Sequence, residues 1–183
     1  MARRGRHVAL LRGINVGGHH KLPMADLRAM FEDAGATDVQ SYIASGNVVF
    51  SASAALAKKL GKTIAAQIEH DFGFSAPVLL RSAAQIGKVA AAHPFADRAD
   101  DPKRLHFAFV DAKVTAEHLN VLREVCTDDE GLAAGDGGLY LWFGHGVAKT
   151  KLTNALIDRT LGAIATVRNW RTVQTLASLV EEL

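Results

Sequence analysis

VQSYIASGNVVF, Val39 to Phe50, reads as a β-hairpin. Residues 39–43 and 48–50 are strand-like runs, and the turn formers Ser45-Gly46-Asn47 join them. Helical patterns flank the hairpin on both sides. Before it, Pro23 suits a first helical turn, Leu27, Met30, Phe31 and Ala34 recur at helical spacing, and Gly35 stops the run. After it, Leu56, Leu60, Ile64, Ile68 and Phe72 step by four. Outside the helices stand two more apolar runs, HVALL at 7–11 and Pro77 to Leu80, which read as strands. Ser82 with Gln85 has the form of a capping box for a short third helix. The order β-α-β-β-α-β, then α, is that of the ferredoxin-like split βαβ.

The same order recurs downstream. HPFADRADDPK, His93 to Lys103, is polar and holds two prolines and three aspartates, so it reads as a linker. Beyond it the patterns predict a strand at 104–110, a helix at 115–125, and a weak strand at 131–134. A turn at 135–138, a strand at 139–143 and a helix at 150–161 ended by Gly162 follow. A last strand is expected at 164–167. Asn169 then caps a helix whose apolar stripe is Trp170, Val173, Leu176, Val180 and Leu183. The expected fold is α+β, two ferredoxin-like (βαββαβ) halves in tandem. Residues 1–92 form the N-terminal half with its short helix, 93–103 the linker, and 104–183 the second half with an extra C-terminal helix. Only the order of elements repeats; no residue-level repeat is visible.

The chain has 183 residues, 49% apolar and 22% charged, which excludes extensive disorder. The net charge of +2 is too small to argue for nucleic acid. Its distribution says more. Arg3, Arg4, Arg6, Arg12 and Lys21 open the chain with no acid among them. From Gly137 to Val180, Lys149, Lys151, Arg159, Arg168 and Arg171 meet only Asp158. From Glu117 to Asp136 the balance reverses: Glu117, Glu124, Asp128, Asp129, Glu130 and Asp136 face only Arg123. No apolar run approaches the roughly 20 residues that span a bilayer, and residues 8–11 are too few for a signal-peptide core. The single cysteine, Cys126, excludes an internal disulfide. A cytoplasmic protein without membrane contact is expected.

Motifs of known chemistry are near-misses. Gly13, Gly17 and Gly18 do not fit G-x-G-x-x-G, and no Lys-Ser/Thr follows Gly18. Gly61-Lys62-Thr63 falls inside a helical pattern, and FGHGVAKT at 143–150 lacks the glycines of a P-loop. The histidines are scattered, there is no Cys-x-x-Cys, and no G-x-S-x-G, so no metal, cofactor or nucleophile is expected. Phe107 and Phe109 alternate with His106 and Ala108 and so share one face, more easily as core than as a stacking surface.

VALLRGINVGG (8–18), SYIASGNVVF (41–50) and KTKLTNALIDRTLG…TVRNW (149–170) resemble an uncharacterised bacterial family, domain of unknown function 1697. The resemblance covers nearly the whole chain. It implies a class and no activity, because the family has none established. His19 and His20 stand where the family more often has lysine or asparagine, and Arg171 where it has asparagine after RNW. The pattern therefore assigns these three positions no role.

Topology gathers residues the motifs do not. In a βαββαβ unit the loop after the first strand and the hairpin between the second and third share one end. This predicts Arg12, Asn15, Gly17 and Gly18 beside Ser45 and Asn47. In the second half the exits of the third and fourth strands share an end, which predicts Lys149, Lys151 and Asn154 beside Arg168 and Asn169. Both sets offer cations and amides and no carboxylate, which suits a phosphate-bearing ligand or nucleic acid. A binding protein with both sets facing a cleft between the halves is the reading these residues favour. An enzyme acting on a phosphorylated or carboxylated small molecule, and a protein–protein module, remain alternatives. Nothing in the sequence speaks to oligomeric state.

Overall fold

The structure, a computed structural model, describes residues 4–183; Arg3, counted above in the basic N-terminal stretch, lies outside them. The first half runs β1 (Arg4–Leu11), α1 (Met24–Asp33), β2 (Thr37–Tyr42), β3 (Asn47–Ser53), α2 (Ala54–Phe72), β4 (Val78–Ser82) and α3 (Ala83–Ala90). The second runs β5 (Leu105–Val110), α4 (Ala116–Arg123), β6 (Glu130–Gly135), β7 (Gly138–Phe143), α5 (Asn154–Leu161), β8 (Ala165–Asn169) and α6 (Trp170–Glu182). Each half is a four-stranded antiparallel sheet, ordered β2-β3-β1-β4 and β6-β7-β5-β8. These are two tandem ferredoxin-like halves, in an α+β chain. Two compact units divide the chain: one runs to Ile86 and takes in Leu176–Leu183, the other is Gly87–Thr175. No helix among the described residues is long and apolar enough to cross a membrane.

In the first unit, alternation along β1 sends Ala9 and Leu11 into a core with Val48, Phe50, Leu27, Phe31, Leu60 and Ile64. The Phe31 and Phe50 rings lie 5.1 Å apart, each fully buried; burial of such a side chain contributes about 1.5–3 kcal/mol. Ser53 starts α2 by accepting the Leu56 amide, and Gly73, left-handed at φ 74°, ends it. Gly61-Lys62-Thr63 is the middle of that helix, not a phosphate loop. The capping box of Ser82 and Gln85 forms, with both reciprocal hydrogen bonds at 2.9 and 3.3 Å.

In the second unit, Ala108 and Val110 face the helices with Leu122, Leu139, Leu141 and Ile157. Phe107 and Phe109 point to the other face, fully buried with rings 4.7 Å apart. Two elements differ from the expectation. The helix expected from Thr150 begins at Asn154: Thr150 Oγ1 accepts the Leu152 amide in a turn of its own, and Thr153 is the residue that caps α5. The segment expected as a linker is packed within the second unit. It winds through short 3₁₀ turns at Ala96–Arg98 and Pro102–Arg104. Phe95 stacks on Trp142, and the Arg98 guanidinium lies 4.5 Å from the same ring. His93 is buried; the Phe95 amide donates to its Nδ1, so Nε2 carries the proton it donates to the His106 carbonyl.

Sheet register exposes a repeat at the level of residues. His7 lies opposite Ser82 on β4 and Phe50 on β3; His106 lies opposite Asn169 on β8 and Leu141 on β7. Ala9 matches Ala108, and Arg81 matches Arg168. Both arginines donate from Nη1 to the preceding carbonyl, of Leu80 at 2.8 Å and of Val167 at 3.0 Å. A polar cap follows each: Ser82 opens α3, and Asn169 Oδ1 accepts the Arg171 amide at the start of α6.

Gly46 should tolerate no side chain. Its φ is +84°, and a Cβ would meet Leu11 Cβ at 2.7 Å and Ile14 Cδ1 at 2.9 Å. Gly46→Ala should cost about 2–4 kcal/mol in urea unfolding, from backbone strain plus overpacking; a loss below measurement error would show that the turn relaxes freely. Cys126 is half-buried, donates to the Leu122 carbonyl, and burial, with Glu130 nearby, raises its thiol pKa. Cys126→Ser should shift stability by less than about 1 kcal/mol, and a larger loss would make the thiol a core anchor. Burial also lowers the pKa of His7, His93 and His106. Below their ordinary value near 6.5 the unfolded chain binds protons the folded chain refuses, so stability should fall as pH drops through that value. Thermal melts between pH 7.5 and 5.5 test this, and a midpoint that rises with acid would contradict it.

Candidate functional site

The first predicted set comes together. Because β1 and β2 both run antiparallel to β3, their exits share an end, and the Leu11 amide donates to the Gly46 carbonyl at 2.8 Å. Asn15, at φ 54°, ties the loop to the hairpin. Its Nδ2 donates to the carbonyls of Leu22 and Ala44 at 2.9 and 2.8 Å, and its Oδ1 accepts the Leu22 amide. Asn47 is fully buried and donates to the Tyr42 carbonyl and Ser45 Oγ. Both amide side chains are thus consumed inside the loop cluster. Gly17 and Gly18 are exposed at positive φ, and a Val16–His19 bridge closes the tip. Arg12 is half-buried, its amide donating to the Pro77 carbonyl. His20 stacks on Phe74 with ring centroids 4.5 Å apart.

Of the second set, Asn154 and Asn169 line a cavity. β7 and β8 both run antiparallel to β5 and so finish at the same end of the sheet, on either side of β5. A pocket of about 480 Å³ opens there, lined by His106, Phe143, Val147, Thr150, Leu152, Thr153, Asn154, Val167 and Asn169. That volume is within the range of small-molecule sites. Its polar edge is the start of α5, whose first-turn amides lack intrahelical acceptors and carry the positive end of the helix dipole. Thr153 Oγ1 takes one of them, the Leu156 amide, at 3.2 Å. Asn169 is held in place at both ends of its amide, Oδ1 by the Arg171 amide and Nδ2 by the Lys103 carbonyl. Lys149 and Lys151 are exposed on the segment that supplies Thr150 and Leu152 to the lining. No carboxylate lines the pocket.

Two positions depart from the sequence reading. Arg168 is on the other face of the sheet: β8 alternates, so Val167 and Asn169 face the pocket while Arg168 sits opposite Phe107. Burial lowers its pKa to about 10, and it remains charged at neutral pH. His106, absent from the predicted set, is in the lining. It is 7% exposed, its Nδ1 is buried with no hydrogen-bond partner among the described residues, and burial lowers its pKa, so the ring is neutral at pH 7. The signal that could have found it is a lone polar side chain in an otherwise apolar strand.

Residues 5–140 match the family described as "Protein of unknown function (DUF1697)". No match was found among curated proteins. Among solved structures, a conserved bacterial protein from Streptococcus pneumoniae is similar, with 26% identity and a TM-score of 0.75, over 97% of this chain and 99% of that one. The matched stretch contains both the glycine-rich loop and the hairpin that Asn15 ties to it, and the structural likeness extends through the α5 pocket. On that match over most of its length, the chain belongs to the family of proteins of unknown function DUF1697.

Proposed function

We propose that this protein binds a small phosphate-bearing molecule in the pocket at the start of α5. The observation that carries the reading is a cavity with a helix N-terminus at its edge, two lysines on its flanking segment and no carboxylate in its lining. Phe143, Leu152 and Val167 give it apolar walls, which suit an organic phosphate better than the bare ion. A small molecule is favoured over nucleic acid because Phe107 and Phe109, the aromatics of the central strand, are fully buried and offer no stacking platform. The reading rests on the second unit alone. The lone Cys126, kept as a thiol, supports a reducing, cytoplasmic setting.

Calorimetric titration with phenyl phosphate tests the reading. Binding should weaken about tenfold in Asn154→Asp, which sets a carboxylate against the phosphate and removes a charge-assisted contact. The same substitution should leave stability unchanged or slightly raised, because an acid in the first turn favours the helix. Weakened binding with intact stability separates a ligand contact from a folding defect. Affinity equal for phenyl phosphate and phenol, or indifferent to Asn154→Asp, would overturn it.

A further inference from the structure

The internal repeat puts a corresponding crevice in the first unit. There β3 and β4 end on either side of β1, and each leads directly into a helix, α2 and α3. A cavity of about 590 Å³ lies at that end, lined by Arg4, Gly5, Arg6 and His7 of β1 and by Ala54 and Ala83, the first residues of the two helices. A second cavity of about 280 Å³ shares His7 and Ala54 with it and adds Lys58, Ser82 and Gln85. His7 occupies the register position that His106 has in the second unit, and Ser82 that of Asn169. Like His106, His7 has one ring nitrogen, Nε2, buried without a hydrogen-bond partner among the described residues. Gly5 leaves the space beside it open: a Cβ there would stand 3.1 Å from Nε2.

The charge is of one sign. Arg4, Arg6, Lys58 and Arg81 line the two cavities, and no carboxylate lines either. The guanidinium contacts fix position without neutralising charge. Arg4 Nη1 donates to the Gly35 carbonyl and Thr37 Oγ1, and Arg6 Nη1 to the backbone carbonyl of Glu181 at 2.6 Å. A guanidinium has five N–H groups, so donors remain on both.

We propose that this crevice is a second anion site, selective for phosphate groups, giving the chain one such site in each unit. The kind of ligand rests on the reading of the α5 pocket; the site itself rests on the cavity, its cations and the repeat. The test is a residue-resolved NMR titration of the full chain with inorganic phosphate. Amides of Ala54 to Leu56 and of Ala83 should shift in a saturable way, as a set distinct from those of Asn154 to Leu156. Lys58→Glu, at an exposed position, and Arg4→Gln should each weaken the first set about tenfold, the worth of one charge-assisted contact, and leave the second set in place. Shifts confined to the α5 pocket, or a first set untouched by both substitutions, would overturn the proposal. Shifts in the first set alone would uphold it, and the α5 reading then stands or falls on the phenyl phosphate titration.

Discussion

The structure depends on the position of β1 and β5, each hydrogen-bonded on both sides at the centre of its sheet. A central strand has no free edge, so its register is set by two neighbours at once. Its side chains alternate strictly between faces. In β1 this sends Ala9 and Leu11 to the helices, and in β5 Ala108 and Val110. A slip of one residue would exchange these for Val8 and Leu10, or for Phe107 and Phe109, and no helix packed on a floor of alanine would accept two phenylalanines. The small alanine at the centre of each strand and the large helix residues above it, such as Phe31 in the first unit, are one packing solution.

The same register determines where chemistry can collect. When the third and fourth strands flank the first and run the same way, the helices that follow them begin at one end. Their uncapped amides then converge on the start of the central strand. The glycine-rich loop at the opposite end of the first sheet has a different task. Asn15 there spends its side chain on Leu22 and Ala44, and the positive φ values of Gly13, Gly17 and Gly18 let the chain reverse. The most conspicuous stretch of the sequence is thus built chiefly to hold a hairpin.

Much of this was legible in the residues. The step of four from Leu56 to Phe72, the hairpin, the Ser82–Gln85 capping box and the Asn169 cap all rest on local chemistry, which a sequence displays directly. What escaped depends on contacts distant in sequence. The repeat survives as His7 with His106, Ala9 with Ala108 and Arg81 with Arg168, too sparse to notice until strand pairing aligns them. Which face of β8 carries Arg168 is set by its pairing with β5, which the residues of β8 alone do not display. Thr150 and Thr153 are both competent caps, and in the fold Thr150 spends its hydroxyl on the Leu152 amide while Thr153 caps α5. His93 to Lys103 looked like a spacer because its aspartates and prolines outnumber the two rings, His93 and Phe95, that pack.

Burial also decides which groups in the α5 pocket can carry charge. His106 is the residue one would first ask to hold a phosphate, yet desolvation keeps its ring neutral at pH 7. On the proposed reading, attraction for an anion comes from the α5 amides and from Lys149 and Lys151. These act over different ranges. The lysines are exposed, so salt screens them within a Debye length of about 8 Å. The amides act by direct hydrogen bonds at the pocket wall, where screening is weaker and geometry is fixed by the Thr153 cap. On the proposed reading the lysines raise the rate at which an anion arrives, and the helix start holds it. Burial lowers the pKa of His106, so the ionisation the proposed ligand itself brings is the second of its phosphate, near pH 6. On the proposed reading the pocket favours the dianion by the arrangement of its donors, without a titrating group of its own.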